Sequence, residues 1–186
     1  MRAAVYSFSL RGAELSKKVG ELLGSLGYEV QVETLPKYAE EAKLPAMVGN
    51  HYQVTEEAFK NCQAVVYVGS VGIAVRSIAP YLKSKLIDPA VISVDERGNF
   101  VIPLIAGHIG GSNELARVLA VNLGAQACVT TATDVNGLFA VDEWAARNRM
   151  VICSLSAAKD FAAALVHNDV VGYIAISLLL NLCLVK

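Results

Sequence analysis

Three stretches of this 186-residue chain combine glycine, hydroxyl and titratable side chains at spacings that can do chemistry. The densest is Gly107-His108-Ile109-Gly110-Gly111-Ser112-Asn113-Glu114. A strand ends before it and a helix begins after it. Free backbone N–H groups at a helix start, together with the helix dipole, favour a carboxylate or an oxyanion. Gly110 and Gly111 let the backbone approach a ligand, and His108 can exchange a proton near neutral pH. The bland alternative is a capped helix, with Ser112 as N-cap and His108 filling a turn. Gly69-Ser70-Val71-Gly72 is a second strand-to-helix turn, with Arg76 one turn further on. It lacks the lysine of a P-loop and the full dinucleotide spacing, so it does not read as a nucleotide site. Arg76 can hold a substrate carboxylate, or pair internally with Asp88 or Asp95. Third, Thr130-Thr131-Ala132-Thr133-Asp134-Val135-Asn136-Gly137 offers hydroxyls, a carboxylate and an amide that bind polar groups or cap a helix.

The elements that must position these turns alternate. Ala3–Phe8, Tyr28–Val32, Ala64–Val68, Ala90–Val94 and Ala127–Thr131 read as strands. Between them, Leu15, Val19, Leu22, Leu23 and Leu26 share one helical face closed by Gly27, and Leu115, Val118, Leu119 and Leu123 share another closed by Gly124. Strand-helix alternation predicts an α/β fold, a mainly parallel sheet with helices on both faces. Asp95–Asn99 carries turn chemistry, and pairs Ala90–Val94 with Phe100–Leu104 as a hairpin. Residues 35 to 53, with two prolines and a charge-rich stretch, read as a loop. Residues 141 to 148 read as helical and 150 to 153 as extended. The chain therefore divides into an N-terminal α/β domain over residues 1–138 and, over 139–186, a linker with the start of a second module. The apolar run after Gly172 is too short to span a bilayer and suggests a chain cut inside a domain. In an open α/β sheet, ligands bind beyond the carboxyl ends of the strands, so the three turns are predicted to converge on one cleft.

Composition excludes several classes. The residues are 54% apolar and 18% charged, with a net charge of −1, which is globular and offers no basic surplus for nucleic acid or anionic membrane. Cys62, Cys128, Cys153 and Cys183 form no CxxC pair, and His51 and His167 lack metal-like neighbours, so neither a redox centre nor a metal site is expected. The N-terminus lacks the apolar core of a signal peptide, which points to the cytoplasm. Nothing in the composition opposes a homo-oligomer.

Four segments in order resemble one family. They are Gly69-Ser-Val-Gly-Ile-Ala-Val-Arg76, Lys85-Leu-Ile-Asp-Pro-Ala-Val91, Ile102-Pro-Leu-Ile-Ala-Gly-His-Ile-Gly-Gly-Ser-Asn-Glu-Leu-Ala116 and Thr130-Thr-Ala-Thr-Asp-Val-Asn136. Together they look like the signature of the cobalamin-biosynthesis G proteins (CbiG), the cobalt-precorrin-5A hydrolases of the anaerobic pathway. The resemblance is strong over about residues 60 to 150. It implies a cobalt-corrinoid tetrapyrrole substrate, hydrolysis of its δ-lactone and loss of a two-carbon unit as acetaldehyde, giving cobalt-precorrin-5B. The cobalt arrives in the substrate, so no protein cofactor is expected. Family members usually continue into a further C-terminal domain, so the alternative is a tetrapyrrole-binding or assembly module whose chemistry needs that domain. The resemblance supplies no catalytic residues. Local chemistry makes His108 the best base candidate and Asp134 the next. It makes Gly69, Ser70, Gly72, Arg76, Gly110, Gly111, Asn113, Thr131, Thr133 and Asn136 the substrate-binding set.

Overall fold

The computed structural model describes residues 1–148, 150–167 and 169–172, so the apolar run expected to end the chain lies outside the described residues. Six strands form one sheet: β1 (Arg2–Ser7), β2 (Glu29–Thr34), β3 (Ala64–Val68), β4 (Ala90–Val94), β5 (Phe100–Ile105) and β6 (Gln126–Ala127). Their spatial order is β2-β1-β3-β4-β5-β6. The first four run parallel, β5 turns back antiparallel to β4, and β6 runs parallel to β5. The mainly parallel α/β sheet read from the sequence is therefore present.

Five helices accompany it: α1 (Leu10–Ser25), α2 (Pro36–Ala42), α3 (His51–Asn61), α4 (Val71–Ile78) and α5 (Ser112–Leu123). The pleat sends alternate side chains to opposite faces. Ala3, Val5, Val66, Val68, Ile92, Val94 and Val101 meet Val19 and Leu23 of α1 and Leu115 and Leu119 of α5. Ala4, Tyr6, Val65, Tyr67 and Val91 meet Val54 and Ala58 of α3 and Ala74 and Ile78 of α4. Both faces are covered, which is why β3 reads as an unbroken apolar run and β4 is interrupted only by the buried Ser93.

Three local departures from the sequence reading have simple causes. Pro36 occupies the first turn of α2, where its missing N–H costs nothing, so part of the expected loop is helical. Asn50 caps α3 in a reciprocal pair with Gln53, starting that helix four residues before Thr55. β6 has only two residues, because its pairing with β5 ends at Val101–Ala127.

The chain divides into two compact units, Met1–Val129 and Thr130–Lys186. The second unit contains α6 (Ala132–Val135), α7 (Val141–Arg147) and α8 (Leu155–Val166). Phe139 packs against Trp144 at 6.0 Å and edge-on against Phe161 at 6.1 Å, giving this unit an aromatic centre. Residues 150 to 153 form no strand. No helix among the described residues is long and apolar enough to cross a membrane.

Candidate functional site

The reversal of β5 decides where the predicted turns go. Gly69 and Ser70 follow β3 at the carboxyl ends of β1, β3 and β4. Because Val91 pairs with Ile105 and Val94 with Val101, β5 ends beside the start of β4. The Gly107–Asn113 bend therefore leaves the sheet at the opposite rim, about 17 Å away at ~3.3 Å per strand residue. The single cleft predicted from the sequence is not formed: Gly69, Ser70 and Gly72 sit at one end and His108, Gly110, Gly111 and Asn113 at the other.

At the first rim, Ser70 caps α4 by accepting the Gly72 N–H at 3.3 Å. Gly69 donates to the Val94 carbonyl, and its own carbonyl accepts the Ser93 hydroxyl. This turn lies where the strand order switches between β1 and β3, the usual place for a ligand in such sheets. Arg76 is exposed in the last turn of α4. Both proposed internal partners are committed elsewhere. Asp88 accepts the Lys83 and Ser84 N–H groups, and Asp95 those of Arg97, Asn99 and Phe100. Arg76 makes no ion pair among the described residues, so its guanidinium is available to an external anion.

The second rim is more tightly built. Ala106 takes a left-handed conformation at φ 57°, unusual for a residue with a Cβ. It starts a bend that ends at Gly111, also left-handed at φ 79°. Gly111, not Ser112, is the N-cap of α5, and Ser112 lies inside the helix with a buried hydroxyl that makes no hydrogen bond among the described residues. The bend closes on itself: Gly111 donates to His108, Ser112 to Ala106 and Asn113 to Gly107. Those three amides are therefore engaged by carbonyls, contrary to a helix start with free donors. Gly110 N–H is not engaged in a hydrogen bond among the described residues, which leaves it as the donor of the glycine pair. Asn113 is buried, and a Cβ on Gly107 would lie 3.0 Å from its amide atoms, so Asn113 packs beneath the bend. His108 is half-buried. The arrangement holds an imidazole and one amide N–H on a strained, pre-shaped loop.

In the second unit, Thr131 precedes α6 and its hydroxyl donates to Asp134. Thr133 is buried and its carbonyl accepts the Leu138 N–H at 2.7 Å. Asn136 donates to the Ala132 carbonyl at 2.8 Å. These groups shape a helical turn and present Asp134 half-buried.

Comparison with known proteins adds an independent constraint. Residues 53–134 match the family model described as cobalamin synthesis G N-terminal. Cobalt-precorrin-5A hydrolase of Salmonella typhimurium is 40% identical over 139 residues, covering 75% of this chain and 38% of that protein. The enzyme of the same name from Priestia megaterium is 29% identical over 171 residues, covering 92% and 46% respectively. Among solved structures, a cobalamin biosynthesis protein G homolog from Sulfolobus solfataricus superposes with a TM-score of 0.54 at 25% identity, covering 95% of this chain and 51% of that one. The chain thus spans less than half the length of both curated relatives.

Proposed function

We propose that this chain, whose residues 53–134 match the cobalamin synthesis G N-terminal family model, takes part in hydrolytic opening of the δ-lactone of cobalt-precorrin-5A, in the cytoplasm. Ring opening frees a hydroxyl on the two-carbon unit; loss of its proton and cleavage of the carbon–carbon bond to the macrocycle, which keeps the electron pair and takes up a proton, then release acetaldehyde and leave cobalt-precorrin-5B. The reading is carried by the 40% identity to a cobalt-precorrin-5A hydrolase over three quarters of this chain. Lactone opening needs an activated water, a donor for the tetrahedral oxyanion and a grip on a polycarboxylate. His108 is proposed as the base that takes the proton from water, and the Gly110 N–H as the oxyanion donor. Asp134 is the alternative base, a carboxylate oriented by the Thr131 hydroxyl. Arg76 is proposed to hold a peripheral carboxylate.

A second reading is favoured by the length of the chain, which covers 38% and 46% of the two curated relatives. In it, this region binds or orients the tetrapyrrole, and turnover needs residues beyond it. The discriminating experiment titrates the purified chain with cobalt-precorrin-5A while following acetaldehyde release. Release by the chain alone supports the catalytic reading. Saturable binding without release supports the second, and the absence of both removes this region from substrate handling.

A further inference from the structure

The first three turns of α1 face the β4–β5 hairpin across a groove of about 680 Å3. Its walls include Arg11, Glu14 and Lys18 from α1, and Glu96, Arg97 and Asn99 from the hairpin. Both walls are braced from behind. The Asp95 carboxylate accepts N–H groups from Arg97 at 3.0 Å, Asn99 at 2.7 Å and Phe100 at 2.6 Å, so the hairpin tip has a fixed shape. Gly98, left-handed at φ 71°, seats that tip on α1; a Cβ there would lie 3.3 Å from Leu15. Ser9, the N-cap of α1, accepts the Gly12 N–H and donates to Glu96 at 2.8 Å, tying hairpin and helix together.

The charges across this groove are unevenly satisfied. Glu14 is paired with Lys17 at 2.7 Å, and Glu96 is drawn to the Ser9 hydroxyl. The side chains of Arg11, Lys18 and Arg97 make no ion pair or hydrogen bond among the described residues. Three cations on two braced walls repel one another, and an anion between them relieves that repulsion. Arg11 and Lys18 stand on one wall and Arg97 on the other, so a ligand with two linked anionic groups can engage both. The groove opens at the carboxyl ends of β1 and β4, the rim where ligands of parallel α/β sheets bind.

We propose that this groove is a binding site for a small ligand bearing two or more carboxylate or phosphate groups. It lies at the rim opposite the His108 bend, and the proposal does not depend on the lactone reading.

The test uses the whole chain, labelled with nitrogen-15, at low salt. Pyrophosphate and citrate are titrated separately while backbone amide shifts are followed. Saturable shifts centred on Arg11, Arg97, Gly98 and Asn99 are expected, with dissociation constants of about 0.1–5 mM. Affinity should fall several-fold as ionic strength rises from about 20 to 200 mM. The Arg11→Ala/Arg97→Ala pair should weaken binding by about 3- to 30-fold with the spectrum otherwise preserved. Arg97→Gln, in an exposed turn, provides a milder version should the double variant lose its fold. Lys83→Ala, outside the groove, should change nothing. Whichever probe binds more tightly identifies phosphate or carboxylate as the natural group. The proposal is overturned if neither probe gives saturable shifts by about 20 mM, or if affinity is unchanged in both arginine variants.

Discussion

Gly110 lies directly against Ala106: a Cβ on Gly110 would collide with the Ala106 methyl and come within 2.9 Å of the Ala106 carbonyl oxygen. That carbonyl also accepts the Ser112 N–H, the bond that joins the end of β5 to the start of α5. The bend carrying His108 therefore owes its shape to the absence of one methyl group.

Gly110→Ala should destabilise the protein by about 1–3 kcal/mol, the usual cost of overpacking a fixed backbone. Ala106→Gly removes one colliding methyl and the left-handed strain, which is worth about 1–2 kcal/mol. The double variant should then be more stable than the sum of the single changes predicts. Denaturant unfolding of the four proteins measures the coupling, and strictly additive effects would sink the proposed contact.

His108→Ala, made in a catalytically competent full-length relative at the matching position or in this chain if it turns over, should slow acetaldehyde release by about 10²–10⁴. Circular dichroism should be unchanged. Near-normal turnover removes His108 from the mechanism, and Asp134→Asn then becomes the informative variant.

Asp95→Ala deprives three backbone N–H groups of their acceptor and should cost about 1–3 kcal/mol. Asp95→Asn keeps one acceptor oxygen and should lose less. Amide exchange at Arg97, Asn99 and Phe100 reports the effect locally; unchanged protection in the alanine variant would contradict it.

Tyr6 and Tyr67 should not ionise with the exposed tyrosines. Burial raises both phenols well above the ordinary value of 10; Glu33 adds to the effect at Tyr6, while the Thr55 hydroxyl opposes it at Tyr67. Their folded-state pKa values are raised, so above about pH 10 the unfolded chain binds fewer protons than the folded one, and stability falls as pH rises further. Absorbance at 295 nm should show these two groups titrating only on unfolding. A single titration of all seven tyrosines near pH 10 with the fold intact would refute this.

The layered core was legible because β3 is an unbroken apolar run, β4 is apolar but for Ser93, and α1 and α5 carry clear apolar stripes. α2 was hidden by its seven residues, its leading proline and its charges, a pattern that also suits a loop. α8 lacks a sharply polar face, so its periodicity does not mark it as a helix, although Ser154 caps it by accepting the Ala157 N–H. The reversal that separates the two glycine turns was latent in the hairpin at Asp95–Asn99. A five-residue connection cannot return a chain to the end it left, so β5 had to finish at the far rim. The αL cap at Gly111 was harder to foresee, since Gly-Gly-Ser suits a serine cap equally well and only the closure onto Ala106 decides between them.

The same reversal alters the electrical polarity of the module. In a wholly parallel α/β sheet, every crossover helix points its amino terminus toward one rim, and the peptide dipoles accumulate along a common axis. Here α1 descends from that rim while α5, entering from the reversed β5, climbs back along the same face. Their dipoles lie side by side in opposite directions and largely cancel. The sheet thus offers a positive helix pole of roughly half an elementary charge at each of its two ends, and anionic groups are favoured at both.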